Sequence, residues 1–392
     1  MIVRQFLQWI GTAPAAERAD ATADLVRCYL HSQLSPDDLA AAEGALLMLL
    51  DDPSPLVRRA LAETICASDR APASVVYGLA ADQANIAIHV YEYSPLLTDA
   101  DLVDAIGQGD EQIQAAVARR DPLSRSVVAA IAEVGTAEAC LTVLENPGAV
   151  IAQFSLERLV ARYGHLAAIR ETLLERDDLP APIHQVLVAK LSDVLAGFVS
   201  ARCWLPEERA SRVAKEACEK AAITLAASAR QGEQILLIRH LRSDGQLTAQ
   251  LILRALLSGN VAMFEDALAE LSGMPIDRVC GLLHSKGSTG LRAVYDKAGL
   301  PASLFVAFKE AMDAIRETGF VGDHMGEARL RRRVVERVLT RCAQDMRSDV
   351  EPLLILLRRF AAEAAREEAR MFCSDLVAER MATPLLDERL VA

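Results

Sequence analysis

Leu46–Ala60 reads LLMLLDDPSPLVRRA: an apolar helix end, an Asp-Asp turn set among prolines, then the start of a second amphipathic stretch. The same two-step phrase returns at Leu79–Val90 (LAADQANIAIHV), Leu102–Val117 (LVDAIGQGDEQIQAAV) and Leu141–Phe154 (LTVLENPGAVIAQF). Aligned on the turn residues Asp52, Asp82, Gly109 and Asn146, the fourth position on is Leu56, Ile86, Ile113 or Val150. Four further on stand Ala60, Val90, Val117 and Phe154. Apolar residues at i and i+4 just after a polar turn form one face of a helix, and the turn residue is placed to cap it. Recurrence of such a unit marks stacked helical repeats, each of which buries its apolar face only against its neighbours.

The turns lie 30, 27 and 37 residues apart. That irregular period resembles HEAT-type or leucine-rich-variant repeats; the Trp, Gly, Tyr and Pro pattern of the tetratricopeptide type is missing. Composition agrees with an all-α chain, because 52% of residues are apolar yet only 4% are aromatic, with Ala and Leu dominant. Proline follows Asp52, Ala71, Ser94, Asp121 and Asn146, where new helices can begin. Beyond about residue 180 the helices lengthen, to roughly 182–201 and 206–229, and we expect a boundary near 200 without a flexible linker. The expected domains are therefore 1–200, an α-solenoid of irregular HEAT-like pairs, and 201–392, a compact all-α module. In the second, Thr248 and Asn260 are placed to cap helices, Gly273 to stop one, and Pro275 to open the next. Long helices over about 323–346 and 350–380 either pack on each other or pair with a second copy as a homodimer.

Charge separates the halves. Residues 1–196 hold 14 Lys and Arg against 27 Asp and Glu, whereas 197–392 hold 28 against 27, within a total of −12. An acidic array repels the phosphate backbone, so nucleic acid is not the expected partner of the first half. The eight cysteines are scattered without CxxC or ligand spacing and read as buried reduced thiols, which points to the cytoplasm. Met1–Gly11 lacks the layout of a signal peptide. No transmembrane segment is expected, because the apolar stretch from Val186 to Leu205 carries Lys190, Asp193 and Arg202.

The run Leu251–Asn260 (LILRALLSGN), followed by Phe264, Ala267–Ala269, Leu271–Gly273, Pro275, Ala298–Pro301 and Phe305, resembles an uncharacterised bacterial family, domain of unknown function 2336. The resemblance covers most of the chain and is sharpest over 247–310. It implies a helical repeat region ahead of this module and a bacterial cytosolic setting, and it brings no activity or catalytic residue.

Arg331, Arg332, Arg333, Arg337 and Arg341, with Arg329 and Arg347, flank an apolar stripe of Leu330, Val334, Val338 and Cys342. They suit an anion, a nucleic acid or a protein partner, but a solvated face paired with nearby acids explains them more simply. His284–Gly290 (HSKGSTG) lacks the GxxxxGK[ST] order of a phosphate loop and reads as a turn. His89 and Glu92 supply two ligands of the three or four a metal needs; with Tyr91 and Tyr93 they read as a contact surface. No nucleophile elbow occurs, and Asp51-Asp52 and Asp177-Asp178 read as turn residues. The expected function is a non-enzymatic protein–protein interaction scaffold without a cofactor, its partner a basic or amphipathic helix. The rivals are nucleic-acid or anion binding through 329–347, and an enzyme with a dispersed site.

Overall fold

The computed structural model describes residues 9–382 other than 11, 177, 231, 286–287, 319–323 and 345–350, and omits the side chains of 318, 324–327 and 375–382. The expectations for Met1–Gln8, Asp177, Lys286-Gly287 and Arg347 fall outside the described residues. Among those described the chain is all-helical, with 21 α-helices and no strand. It divides into two compact units, Met1–Leu179 and Pro180–Ala392.

The first unit contains α1 (Ala15–His31), α2 (Pro36–Leu49), α3 (Pro55–Ile65), α4 (Ala73–Ala80), α5 (Ala84–Tyr93), α6 (Asp99–Gly107), α7 (Glu111–Ala118), α8 (Arg125–Val134), α9 (Ala137–Glu145), α10 (Gln153–Tyr163) and α11 (Ala167–Leu174). All but α1 are too short to hold their helical form alone in water, so packing stabilises them. The odd-numbered helices pack in series from α1 to α11, each on the next but one; α2 packs on α4, and α6, α8 and α10 form a second series. Caps fix the starts: Ser35, Asp110, Ser124 and Thr136 accept backbone amides, and Thr98 with Asp101 forms a capping box.

Two details differ from the sequence reading. Asp52, Asp82 and Asn146 do not cap the helices that follow; Ser54, Gln83 and Ala152 hold those positions, while Asn146 ends α9. The buried register also shifts in the first and last phrases. Val57 and Leu61 are buried where Leu56 is exposed, and Leu156, Leu159 and Val160 are buried where Val150 and Phe154 are exposed. A short helix with apolar residues on adjacent positions offers two registers, and the neighbouring layer selects one.

The second unit opens with α12 (Ala181–Ala201) and α13 (Glu207–Ser228), which pack along each other, followed by α14 (Glu233–Ser243), α15 (Ala249–Leu257), α16 (Val261–Ser272), α17 (Ile276–Leu283), α18 (Thr289–Lys297), α19 (Phe305–Thr318), α20 (His324–Ala343) and α21 (Glu351–Ala382). The boundary expected near 200 thus falls between 179 and 180, because α12 pairs with α13 instead of extending the first unit. Thr248 and Asn260 cap α15 and α16 as read, and Gly273 stops α16 at φ 66°. Phe264, Tyr295 and Phe308 centre the core, onto which α20 and α21 bring Val334, Val338, Leu357 and Phe360. Helices α20 and α21 pack on each other within the chain.

Helix α12 is long and apolar enough to cross a bilayer by length and composition, with mean hydropathy 1.3 and only 17% of that window buried. Lys190 and Asp193 within it do not remove that property.

Candidate functional site

The arginine helix α20 is largely paired with acids. Arg331 reaches Glu367 at 3.4 Å, Arg332 reaches Glu336 at 2.7 Å and Glu368 at 3.1 Å, and Arg337 reaches Glu317 at 2.7 Å. Glu317 is held below the usual carboxylate range, first by its hydrogen bond from Arg337. Arg333 and Arg341 are exposed and make no ion pair among the described residues. With Arg337 they form an i, i+4, i+8 row lining a shallow surface hollow of about 590 Å³. The five arginines therefore split: three are tied to neighbouring helices, and two face solvent.

On the first unit, His89, Tyr91, Glu92 and Tyr93 do not share a surface. Tyr93 is 55% exposed, but Tyr91 is only 8% exposed and belongs to the core. Glu92 is tied to Arg119 at 2.8 Å, and His89 Nε2 lies 3.4 Å from Glu63 Oε1 without hydrogen-bond geometry. The contact surface expected of all four reduces to Tyr93 and its edge, because α5 turns Tyr91 inward beside Ile86, Ala87 and Val90. Among the described residues no group of three His, Cys, Asp or Glu is placed to hold a metal.

A feature absent from the sequence reading is a set of arginine bonds joining helices about one repeat apart. Arg18 forks onto Asp52 at 2.8 and 3.0 Å, and Arg58 forks onto Asp82 at 2.6 and 3.1 Å. Arg120 donates to the carbonyls of Tyr91 and Ser94, and Arg162 to those of Ala132 and Gly135. Before Lys190 the chain has no lysine. A planar fork suits paired acceptors as an ammonium does not.

The second unit also holds a charged cleft of about 900 Å³ between α13, the α15–α16 turn and α21. At its base Arg254, with a side chain 7% exposed, donates to Glu219 at 3.1 Å and Glu363 at 2.7 Å, while its guanidinium lies 4.4 Å from the Phe360 ring centre. Burial pushes the Glu219 carboxyl up despite the Arg254 charge. Arg254 inside the apolar run LILRALL was the one sequence signal for this cleft.

A family model described as an uncharacterised protein conserved in bacteria (DUF2336) matches residues 86–348. The chain belongs to this family. The DUF2336 match takes in α5 to α20, hence Tyr93, Arg254 and the α20 arginines, while α21 with Glu363 and Phe360 lies beyond it. No curated protein and no solved structure matches the chain.

Gly290, the last residue of HSKGSTG, lies in the first turn of α18 and owes its place to space. A Cβ on Gly290 would lie 2.2 Å from the Leu282 carbonyl oxygen, so close approach to α17 excludes a side chain there. Of the eight free cysteines, Cys66, Cys140 and Cys342 are buried, while Cys28, Cys203 and Cys373 are exposed, which corrects the expectation that all are buried.

Proposed function

We propose that this DUF2336 protein is a non-enzymatic, cytoplasmic interaction scaffold whose first unit is an α-solenoid of irregular HEAT-like helix pairs. Next-but-one packing of successive helices supports the solenoid, since such arrays bury a continuous core and leave an extended face free. Charge carries the functional reading. Residues 1–179 hold 13 Arg against 26 Asp and Glu, and many of those arginines point inward at carbonyls and carboxylates of the array. The outward surface is left acidic, and a basic or amphipathic helix is its complement. Eight free cysteines suit a reducing compartment.

Affinity capture with cross-linking in a native bacterial host tests this. The expected result is cross-links to acidic residues of 1–179 that weaken as salt rises; a partner linked only to 180–392 overturns it. A second reading, anion or nucleic-acid binding on α20, is favoured by Arg333 and Arg341, which make no ion pair among the described residues. It predicts a mobility shift with RNA or DNA at low salt that disappears in the R333E/R341E variant.

A further inference from the structure

The cleft between α13 and α21 holds more positive charge than its acids neutralise. Lys220, Arg254, Arg331, Arg359, Arg366 and Arg370 line it, against Glu216, Glu363 and Glu367 of the lining and Glu219, which meets Arg254. Each acid is already engaged: Glu216 with Arg359 at 3.4 Å, Glu367 with Arg331 at 3.4 Å, and Glu363 with both Arg254 and Lys220. Arg366 and Arg370, one turn apart on α21, line the same cleft and make no ion pair among the described residues. Burial lowers the Lys220 pKa first; the charges of Arg254 and Arg370 lower it further, while those of Glu367 and Glu216 oppose them.

The opposite side of the cleft adds to this field. Ser258, Gly259 and Asn260 line it, and Asn260 caps the 12-residue helix α16, whose N-terminal end carries partial positive charge. Gly259 at φ 82° makes the tight turn between α15 and α16. Ile223, Ala227, Leu257 and Phe360 provide apolar surface beside the cations. A volume of about 900 Å³ is far more than one phosphate needs and lies within the range of clefts that hold small organic ligands.

We propose that this cleft binds a phosphorylated small molecule of nucleotide size, with its phosphates on Lys220, Arg366 and Arg370 and its apolar or planar part against Ile223, Ala227 and Phe360. The site is separate from the acidic surface of the first unit and goes beyond the scaffold reading.

Calorimetric titration of the full chain with ATP, GTP and inorganic pyrophosphate, at matched ionic strength, tests it. At least one nucleotide is expected to bind more tightly than pyrophosphate. The R366A/R370A variant, altered only at exposed positions and checked for native helicity, is expected to bind that nucleotide at least tenfold more weakly. Ala227→Trp, which fills the apolar end, is expected to weaken the nucleotide while sparing pyrophosphate. No binding of any probe at millimolar concentration overturns the proposal. So does undiminished binding by R366A/R370A, or loss of binding in R333A/R341A instead. Equal affinity for pyrophosphate and nucleotides, unaffected by Ala227→Trp, overturns the nucleotide-size assignment.

Discussion

Individual side chains do most of their work here by tying one helix to another. Arg58 spans from α3 to Asp82 and to the Asp52 carbonyl, so Arg58→Ala removes charge-assisted bonds at a mostly covered site. The expected cost is about 1–3 kcal/mol, read from urea unfolding. Asp52 and Asp82 titrate low: burial pulls each carboxyl up, but the arginine fork and a backbone amide together outweigh it. A depressed folded-state pKa gives stability that is complete above the unfolded value of about 4 and is lost as pH falls through the lower folded value. The D52N/D82N variant is therefore expected to lose less stability than the native chain between about pH 4 and pH 2, by urea midpoints at each pH. Cysteine reactivity follows burial. Cys140 is pushed up to about 11, chiefly by desolvation, and its thiol is buried. Native alkylation at pH 8, followed by mass spectrometry, should modify Cys28, Cys203 and Cys373 first and spare Cys140 until the protein unfolds.

At the scale of the element, α12 shows how one apolar stripe can have two environments. Ile183 and Leu187 are buried, at 3% and 0% exposed, whereas Val194, Leu195 and Phe198 are 50%, 52% and 46% exposed. Leu187→Ala is expected to cost about 2–5 kcal/mol through cavity formation, and Val194→Ser no more than about 0.5 kcal/mol, by denaturant titration of the full chain. Helix α20 carries the opposite lesson, because its conspicuous arginines are mostly solvent-screened pairs. Arg332→Ala is expected to leave the urea midpoint close to that of the native chain even though it meets two carboxylates. The helices were legible because their signals are local: caps at Thr248 and Asn260, the stop at Gly273, and apolar spacing along α5 and α7. Which of two neighbouring residues turns inward, Leu56 or Val57, was not legible, because the adjacent layer decides it.

For the whole molecule, the division at Leu179-Pro180 makes a direct prediction. Fragments 1–179 and 180–392 are each expected to show helical circular dichroism and one cooperative thermal transition. A fragment 201–392 lacks α12, the packing partner of α13, and is expected to melt at a lower temperature or aggregate. The sequence by itself determined that the chain is all-helical, that its negative excess lies in the first half, and that it belongs with DUF2336, because helix signals, composition and family motifs are written along the chain. Only the tertiary structure decided which charges neutralise one another. Arg254 meets Glu363 across 109 positions and Arg359 meets Glu216 across 143, so beyond the lone Arg254 of LILRALL the cleft they line has no signature within any window of sequence. Coulombic pairing and desolvation depend on distance in space and on what is buried nearby, and the approach of α13 to α21, bridged by Lys220–Glu363 and Arg359–Glu216, sets both.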